Sequence, residues 1–277
     1  MRTLQEAIDR MDNRGGAASS LRKHMAVIGI HRWDDITKST LYDFRDHLLE
    51  NLAPSSAKTI CAYLKSILNR YEEELDLPKG WSKILTIKND TVRRTFLTTD
   101  ELKLFENVHV KNDRERIVLV ESLIEAYTGA RISDVMTFTK ENFKDGYLTY
   151  TSKKTKVTAN VPISTKTKGW ITYAQEHRKD EPPLNVRNTT IRRLAQRAGI
   201  REIVKVRRRG CEEVGEKWQY LSSHSFRCTA ATNLSLAGAS LTDIKNTLGH
   251  TNESMSSRYI VPTKPELSAC AMSYFGC

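Results

Sequence analysis

The chain of 277 residues is poor in the features that mark several large classes of protein. Only 13 glycines and 7 prolines are present, which excludes a collagen-like or low-complexity chain. The five cysteines, Cys61, Cys211, Cys228, Cys270 and Cys277, are scattered, odd in number and without a CxxC pair. That pattern argues against a disulfide framework or a zinc site and for reduced thiols. No apolar run approaches the ~20 residues that span a bilayer. The opening MRTLQEAIDR has no apolar signal-peptide core, so no membrane is expected as a partner. The expected location is cytoplasmic or with the nucleoid.

What is present describes a folded protein with an anionic partner. Hydrophobic residues make up 39% and charged residues 28%, enough for one large domain or two ordinary ones. The net charge is +11 and the pI about 9.4, and a basic surface of this size commonly meets a polyanion such as nucleic acid. The charge is uneven. Residues 1–90 hold 14 Lys/Arg against 13 Asp/Glu, and residues 91–277 hold 30 against 20.

Hydrophobic spacing organises the chain. Ile60, Tyr63, Leu64, Ile67, Leu68 and Tyr71 recur on one helical face, with Ser55 or Ser56 as the expected cap. Leu41, Phe44 and Leu48 after Thr37 or Ser39, Leu4, Ile8 and Met11, and Leu21, Met25 and Ile28 predict three more helices. This bundle, residues 1–78, has no phosphate loop and no clustered acids. The period lapses from Leu77 to Thr99, and residues 79–97 read as a linker. Thr98 and Glu101 have capping-box spacing, so a second domain is expected over 98–277. It is predicted to hold a long helix from about Asp113 to Tyr127 and a hairpin formed by 146–151 and 157–163. A second hairpin is expected between Ile203 and Tyr220.

The chemistry concentrates in the second domain. His224-Ser225-Phe226-Arg227 follows Ser222 and Ser223, plausible caps. Residues 224 and 227 would therefore leave the first turn of one helix on the same side. HxxR alone is common by chance. Combined with Leu248-Gly249-His250 and with Tyr259 nine residues beyond that histidine, it is specific.

In chain order, TGARISD with Arg131, SKKTKV with Lys154, HSFR with His224 and Arg227, LGH with His250 and SRYI with Tyr259 resemble the signature of the tyrosine recombinase (phage integrase) family of site-specific DNA recombinases. The resemblance runs from about residue 94 to 262, and the N-terminal helices are similar in size and place to the family's core-binding (SAM-like) domain. It implies a mainly α fold with a small antiparallel β-sheet, arranged as a two-domain C-shaped clamp on duplex DNA. The implied reaction cuts and rejoins DNA through a 3′-phosphotyrosyl intermediate, without metal or other cofactor, for integration or excision of a mobile element. The implied partners are double-stranded DNA with inverted core sites and further copies of the chain, a dimer on each site and a tetramer in synapsis. A type IB topoisomerase-like enzyme and an inactive DNA-binding accessory factor on the same fold stay open. With Met1 close to the first predicted helix, the extra arm-binding domain of larger phage integrases is not expected.

These residue types suit the implied reaction. Attack on a phosphodiester gathers negative charge on the non-bridging oxygens, which fixed cationic donors stabilise. Arg131 and Arg227 would form that clamp, guanidinium being permanently charged and able to grip phosphate bidentately. Tyr259 would be the nucleophile. His224 is the candidate base for its phenolic proton, with His250 supporting the phosphate or the attacking oxygen. The family's hairpin lysine protonates the departing 5′ oxygen; Lys153, Lys154 and Lys156 all lie in the turn, and Lys154 fits the family pattern best. Asp134 would orient Arg131.

Other basic residues are candidates for the DNA backbone. They are Arg93 and Arg94, just before Thr95, and the run Arg192, Arg193, Arg197, Arg201, Lys205, Arg207, Arg208 and Arg209. A solvated surface is the alternative. Leu267, Ala271, Met272, Tyr274 and Phe275 form an apolar tail that in the family docks on a neighbouring subunit; folding back on its own domain is the alternative.

Overall fold

Thr3 and Glu6 satisfy each other's orphan backbone N–H groups in a reciprocal cap, and this starts α1 (Leu4–Arg10). The structure, a computed structural model, describes residues 3–11, 16–87, 95–180, 182–208 and 211–261. By internal packing the chain divides into two units, Met1–Val92 with Arg207–Glu212, and Arg93–Val206 with Glu213–Cys277.

In the first unit, α2 (Ala17–Ile28) stops at left-handed Gly29. Helix α3 (Lys38–Asn51) starts at the Thr37 cap, and α4 (Pro54–Arg70) follows. Leu21, Met25, Phe44, Leu48, Ile60, Leu64 and Ile67 bury their apolar stripes against one another. Two features depart from the sequence expectation. Ser55 and Ser56 do not cap α4: Ala53 is the cap residue and Pro54 occupies the first turn, where its fixed φ and missing N–H cost nothing. The stretch without helical period also contains a one-turn helix, α5 (Trp81–Ile84), whose Trp81 and Ile84, with Leu85, are buried in the first core. One turn is too short to register as a period. Arg93 and Arg94 lie outside the described residues.

The second unit is tied together from its first described residue. Thr95 is buried and its hydroxyl lies 3.3 Å from the Tyr220 carbonyl and from Ser225 Oγ, while the Leu97 N–H donates to Thr229 Oγ1 at 2.9 Å. Helix α6 (Thr99–Glu106) starts in the expected Thr98–Glu101 capping box. Helix α7 (Asp113–Thr128) is buried along most of its length and ends at Gly129. A single turn, α8 (Ile132–Val135), leads to an antiparallel sheet of β1 (Phe143–Lys144), β2 (Tyr147–Thr151) and β3 (Thr158–Pro162) in that spatial order. Leu148 pairs with Val161 and Tyr150 with Ala159, so the apolar residues of both strands share the buried face.

Helices α9 (Thr165–Glu176) and α10 (Leu184–Arg197) pack on α7. A two-stranded sheet of β4 (Ile203–Arg208) and β5 (Cys211–Glu216) precedes α11 (Ser223–Leu236), α12 (Leu241–Leu248) and α13 (Glu253–Ser257). The architecture is mainly helical with small antiparallel sheets. No described helix is long and apolar enough to cross a membrane.

Candidate active site

Three helix ends meet where the sequence motifs lie. Helix α7 ends in the left-handed Gly129 (φ +69°), and a Cβ built there would stand 2.6 Å from Leu248 Cδ2 at the end of α12. Only glycine allows both the turn and the close approach. Helix α11 begins beside them, capped by Ser222 with Ser225 completing a capping box. His224 in its first turn is exposed and Arg227 is buried.

Arg227 is the hub. Its Nη1 donates to the Gly129 carbonyl, and its Nη2 donates to the Leu248 carbonyl and to His250 Nε2, both at 2.7 Å. The Nε–H has no partner among the described residues. Burial and the neighbouring Arg131 charge both lower its pKa from the ordinary arginine value. An anion between the two cations would relieve that repulsion.

The contacts of His250 define its protonation. A guanidinium can only donate, so Nε2 accepts; Nδ1 then carries the proton and donates to Ser256 Oγ at 2.9 Å. Burial first, and Arg227 next, push its pKa down to about 3. Both ring nitrogens are thus engaged within the protein, one with Arg227 and the other with Ser256.

Tyr259 lies over this group. Its ring centroid is 5.0 Å from those of His224 and His250, and the Arg227 guanidinium carbon is 5.2 Å from it. The ring packs against the small core of Ala231, Ile244 and Leu248. Thr232 Oγ1 on α11 fixes the backbone on either side of Ile260, donating to the Tyr259 carbonyl at 3.4 Å and accepting from the Val261 N–H at 3.0 Å.

Arg131 is half-buried just before α8, and its Nη1 donates to Ser152 Oγ at 3.0 Å. Asp134 has no direct bond to Arg131 among the described residues; its Oδ2 accepts from Ser152 Oγ at 3.1 Å and its Oδ1 from the Lys153 N–H at 2.9 Å. The β2–β3 turn is thereby anchored beside Arg131. Thr155 Oγ1 adds a bond to the Gly249 carbonyl at 3.0 Å. Lys153, Lys154 and Lys156 are all exposed, and Lys156 holds a left-handed φ of 58°. The structure does not bring Lys154 into contact with the arginines: it makes no hydrogen bond or ion pair among the described residues.

Several buried ionisable side chains have no sequence signal, because their partners are remote in the chain. Glu125 on α7 accepts from Ser223 Oγ at 2.9 and 2.8 Å, next to His224, and burial raises its pKa well above the carboxylate range. Arg187 on α10 forms a fully buried ion pair with Glu121. Lys217 is buried against Glu101, at 2.8 Å, and Glu202.

The candidate DNA-binding arginines separate. Arg197 grips Glu115 with two bonds of 2.7 and 3.0 Å and donates to the His109 carbonyl, which lowers the Glu115 pKa to about 2. It thus ties α10 to the start of α7. Arg192 Nε donates to the Leu221 carbonyl at 3.2 Å, while Arg193 is exposed. Arg207 is half-buried. Arg208 closes β4, and Arg209 and the apolar tail lie outside the described residues.

Comparison with known proteins places this geometry. No curated protein sequence matches the chain. Among solved structures, a lambda integrase(75-356) dimer bound to a COC′ core site is similar at TM-score 0.68 and 17% identity, covering 93% of this chain and 95% of that one. The Tn1549 transposon integrase in complex with transposon right end DNA gives 0.66 and 13% over the whole of both chains. XerH site-specific recombinase, bound to palindromic difH substrate in a post-cleavage complex, gives 0.65 and 15% over 93% of this chain and 76% of that one. A lambda integrase tetramer bound to a Holliday junction is similar at 0.64 and 18%, over 94% and 77%. The profile of the phage integrase family matches residues 95–265, which include every residue of the cluster just described, and the chain belongs to the phage integrase family.

Proposed function

We propose that the protein is a tyrosine-type site-specific recombinase that cuts and rejoins duplex DNA through a covalent tyrosyl phosphate. The observation that carries this reading is the packing of the Tyr259 ring against His224, His250 and Arg227, with centroid or guanidinium distances of 5.0–5.2 Å. Tyr259 attacks the scissile phosphorus, and the bond to the 5′ oxygen breaks. The phenolic proton passes to His224, the exposed imidazole beside it. Arg131 and Arg227 hold the non-bridging oxygens, and His250, neutral, holds Arg227. Lys154 on the β2–β3 turn gives the leaving 5′ oxygen its proton. Because the phosphotyrosine conserves the energy of the broken bond, religation needs no nucleotide.

The remaining assignments belong to the same proposal. The first helical unit, α1 to α5, is a core-binding module and the second unit the catalytic part, and the two close on the duplex as a clamp. The basic excess of residues 91–277 supports this. By analogy with lambda integrase, whose structures are a dimer on a core site and a tetramer on a Holliday junction, the chain works as a dimer on inverted core sites and a tetramer in synapsis. Integration or excision of a mobile element, in the cytoplasm with the chromosome, is the biological setting.

The test is covalent capture. A nicked suicide duplex, built on the DNA recovered by crosslinking the protein in cells, should yield a protein–DNA adduct with the parent and none with Tyr259→Phe, at equal DNA affinity. Strand exchange between two sites is expected; relaxation of a single supercoiled plasmid without exchange would make the enzyme topoisomerase-like. Absence of any adduct with tight DNA binding would make it an accessory factor. Adduct formation by Tyr259→Phe would move the nucleophile elsewhere.

A further inference from the structure

We propose that Ser152 is a positioning residue for Arg131, a step that rests on the recombinase reading. The direction of its hydrogen bonds is fixed by chemistry. Arg131 can only donate and the Asp134 carboxylate only accepts, so the single hydroxyl proton of Ser152 goes to Asp134 Oδ2 (3.1 Å) and a lone pair faces Arg131 Nη1 (3.0 Å). The aspartate thus acts on the arginine through an interposed hydroxyl. Arg131 and Asp134 form no ion pair with each other among the described residues.

The hydroxyl is held rigidly. Ser152 is fully buried, so water does not substitute for it. Its own N–H donates to the Val157 carbonyl and its carbonyl accepts from the Lys156 N–H, both at 2.9 Å. The other carboxylate oxygen of Asp134 is held by the Lys153 N–H at 2.9 Å. Nη1 is the one guanidinium nitrogen of Arg131 with a protein partner among the described residues, which leaves the other donors for a phosphate. Ser152 therefore sets the rotation of Arg131 about its long side chain. It does so from the first residue of the turn that carries Lys154, and removing the hydroxyl leaves the backbone bonds of that turn in place.

The experiment separates a positioning role from general damage. Single-turnover cleavage by Ser152→Ala should fall on the order of 10- to 100-fold, the scale for misplacing a reacting group by a fraction of an ångström to one ångström, with DNA affinity within about twofold. A 5′-bridging sulfur substrate, which needs no proton on its leaving group, should not restore the rate. In an Arg131→Ala background, Ser152→Ala should cost nothing more, since two groups acting as one unit are not additive. A cleavage rate unchanged by Ser152→Ala, full rescue by sulfur, or the same loss in both backgrounds would overturn the proposal. Should Ser152→Ala unfold, Ser152→Cys keeps the shape, weakens both bonds and carries the same comparison. If the parent forms no adduct with any DNA, it is the recombinase reading that fails. A thermal-unfolding cycle on Ser152→Ala and Arg131→Ala then decides the hydrogen-bond arrangement: coupled shifts in Tm support it and additive shifts overturn it.

Discussion

At the scale of single residues, His250 shows how contacts set a role that residue type leaves open. The imidazole accepts from Arg227 and donates to Ser256, so the folded protein favours its neutral form and holds its pKa at about 3. In the unfolded chain the value returns to about 6.5. Below that pH the unfolded state takes up a proton the folded state refuses. The stabilisation is therefore complete above about pH 6.5 and is lost as pH falls toward 3, at up to about 1.4 kcal/mol per pH unit. Urea midpoints measured from pH 7 to pH 4 should fall, and His250→Gln should flatten that slope. Lys154 is tested by its chemistry: Lys154→Ala should cleave an ordinary substrate slowly and recover on a 5′-bridging sulfur substrate, while Lys153→Ala and Lys156→Ala show no selective rescue. Rescue confined to Lys153→Ala would shift the assignment by one residue along the turn.

At the scale of elements, a cap or an apolar stripe is the local signal by which a helix is read from sequence. Thr98 with Glu101 started α6, and the stripe from Ile60 to Leu68 identified α4. The same signals misplaced the start of α4, because a proline in the first turn outweighed two serines, and they missed α5, a single turn held by the burial of Trp81 and Ile84. The end of α7 joins element to chemistry. At Gly129→Ala, a Cβ would meet Leu248 Cδ2 at 2.6 Å in a left-handed backbone with φ +69°. Backbone strain of about 1–2 kcal/mol and overpacking of about 1–3 kcal/mol should lower Tm. Cleavage should fall as well, because the Gly129 carbonyl accepts from Arg227. Calorimetry and single-turnover assays read the two effects; a variant as stable and as fast as the parent would contradict this account of the junction.

At the scale of the whole molecule, the net charge of +11 predicts binding to duplex DNA that weakens steeply with salt. In log K against log salt, each neutralised phosphate contributes a slope of about −0.9. Arg193, exposed, and Arg197, tied to Glu115 and the His109 carbonyl, are four residues apart in sequence and differ in what they should do. Arg193→Gln should make the slope shallower by about one phosphate without affecting Tm. Arg197→Gln should lower Tm and leave the slope alone. Titrations of a labelled duplex by fluorescence anisotropy at several salt concentrations distinguish them, and the reverse pattern would exchange the two assignments.

The sequence by itself determined the order of the chemical groups, Arg131, the turn lysines, His224, Arg227, His250 and Tyr259, because their types and local spacing are intrinsic to the chain. It also determined most helices and both hairpins, whose caps and periods are local. Tertiary packing alone decided that Ser152 stands between Arg131 and Asp134, that His250 faces Arg227 through Nε2, and that Glu125 and the Arg187–Glu121 pair lie buried. The physical reason is range. A hydrogen bond between residues 21 or 98 positions apart, as from Arg131 to Ser152 or from Ser223 to Glu125, exists only once separate elements have packed, and no local propensity encodes the direction in which a buried donor will point.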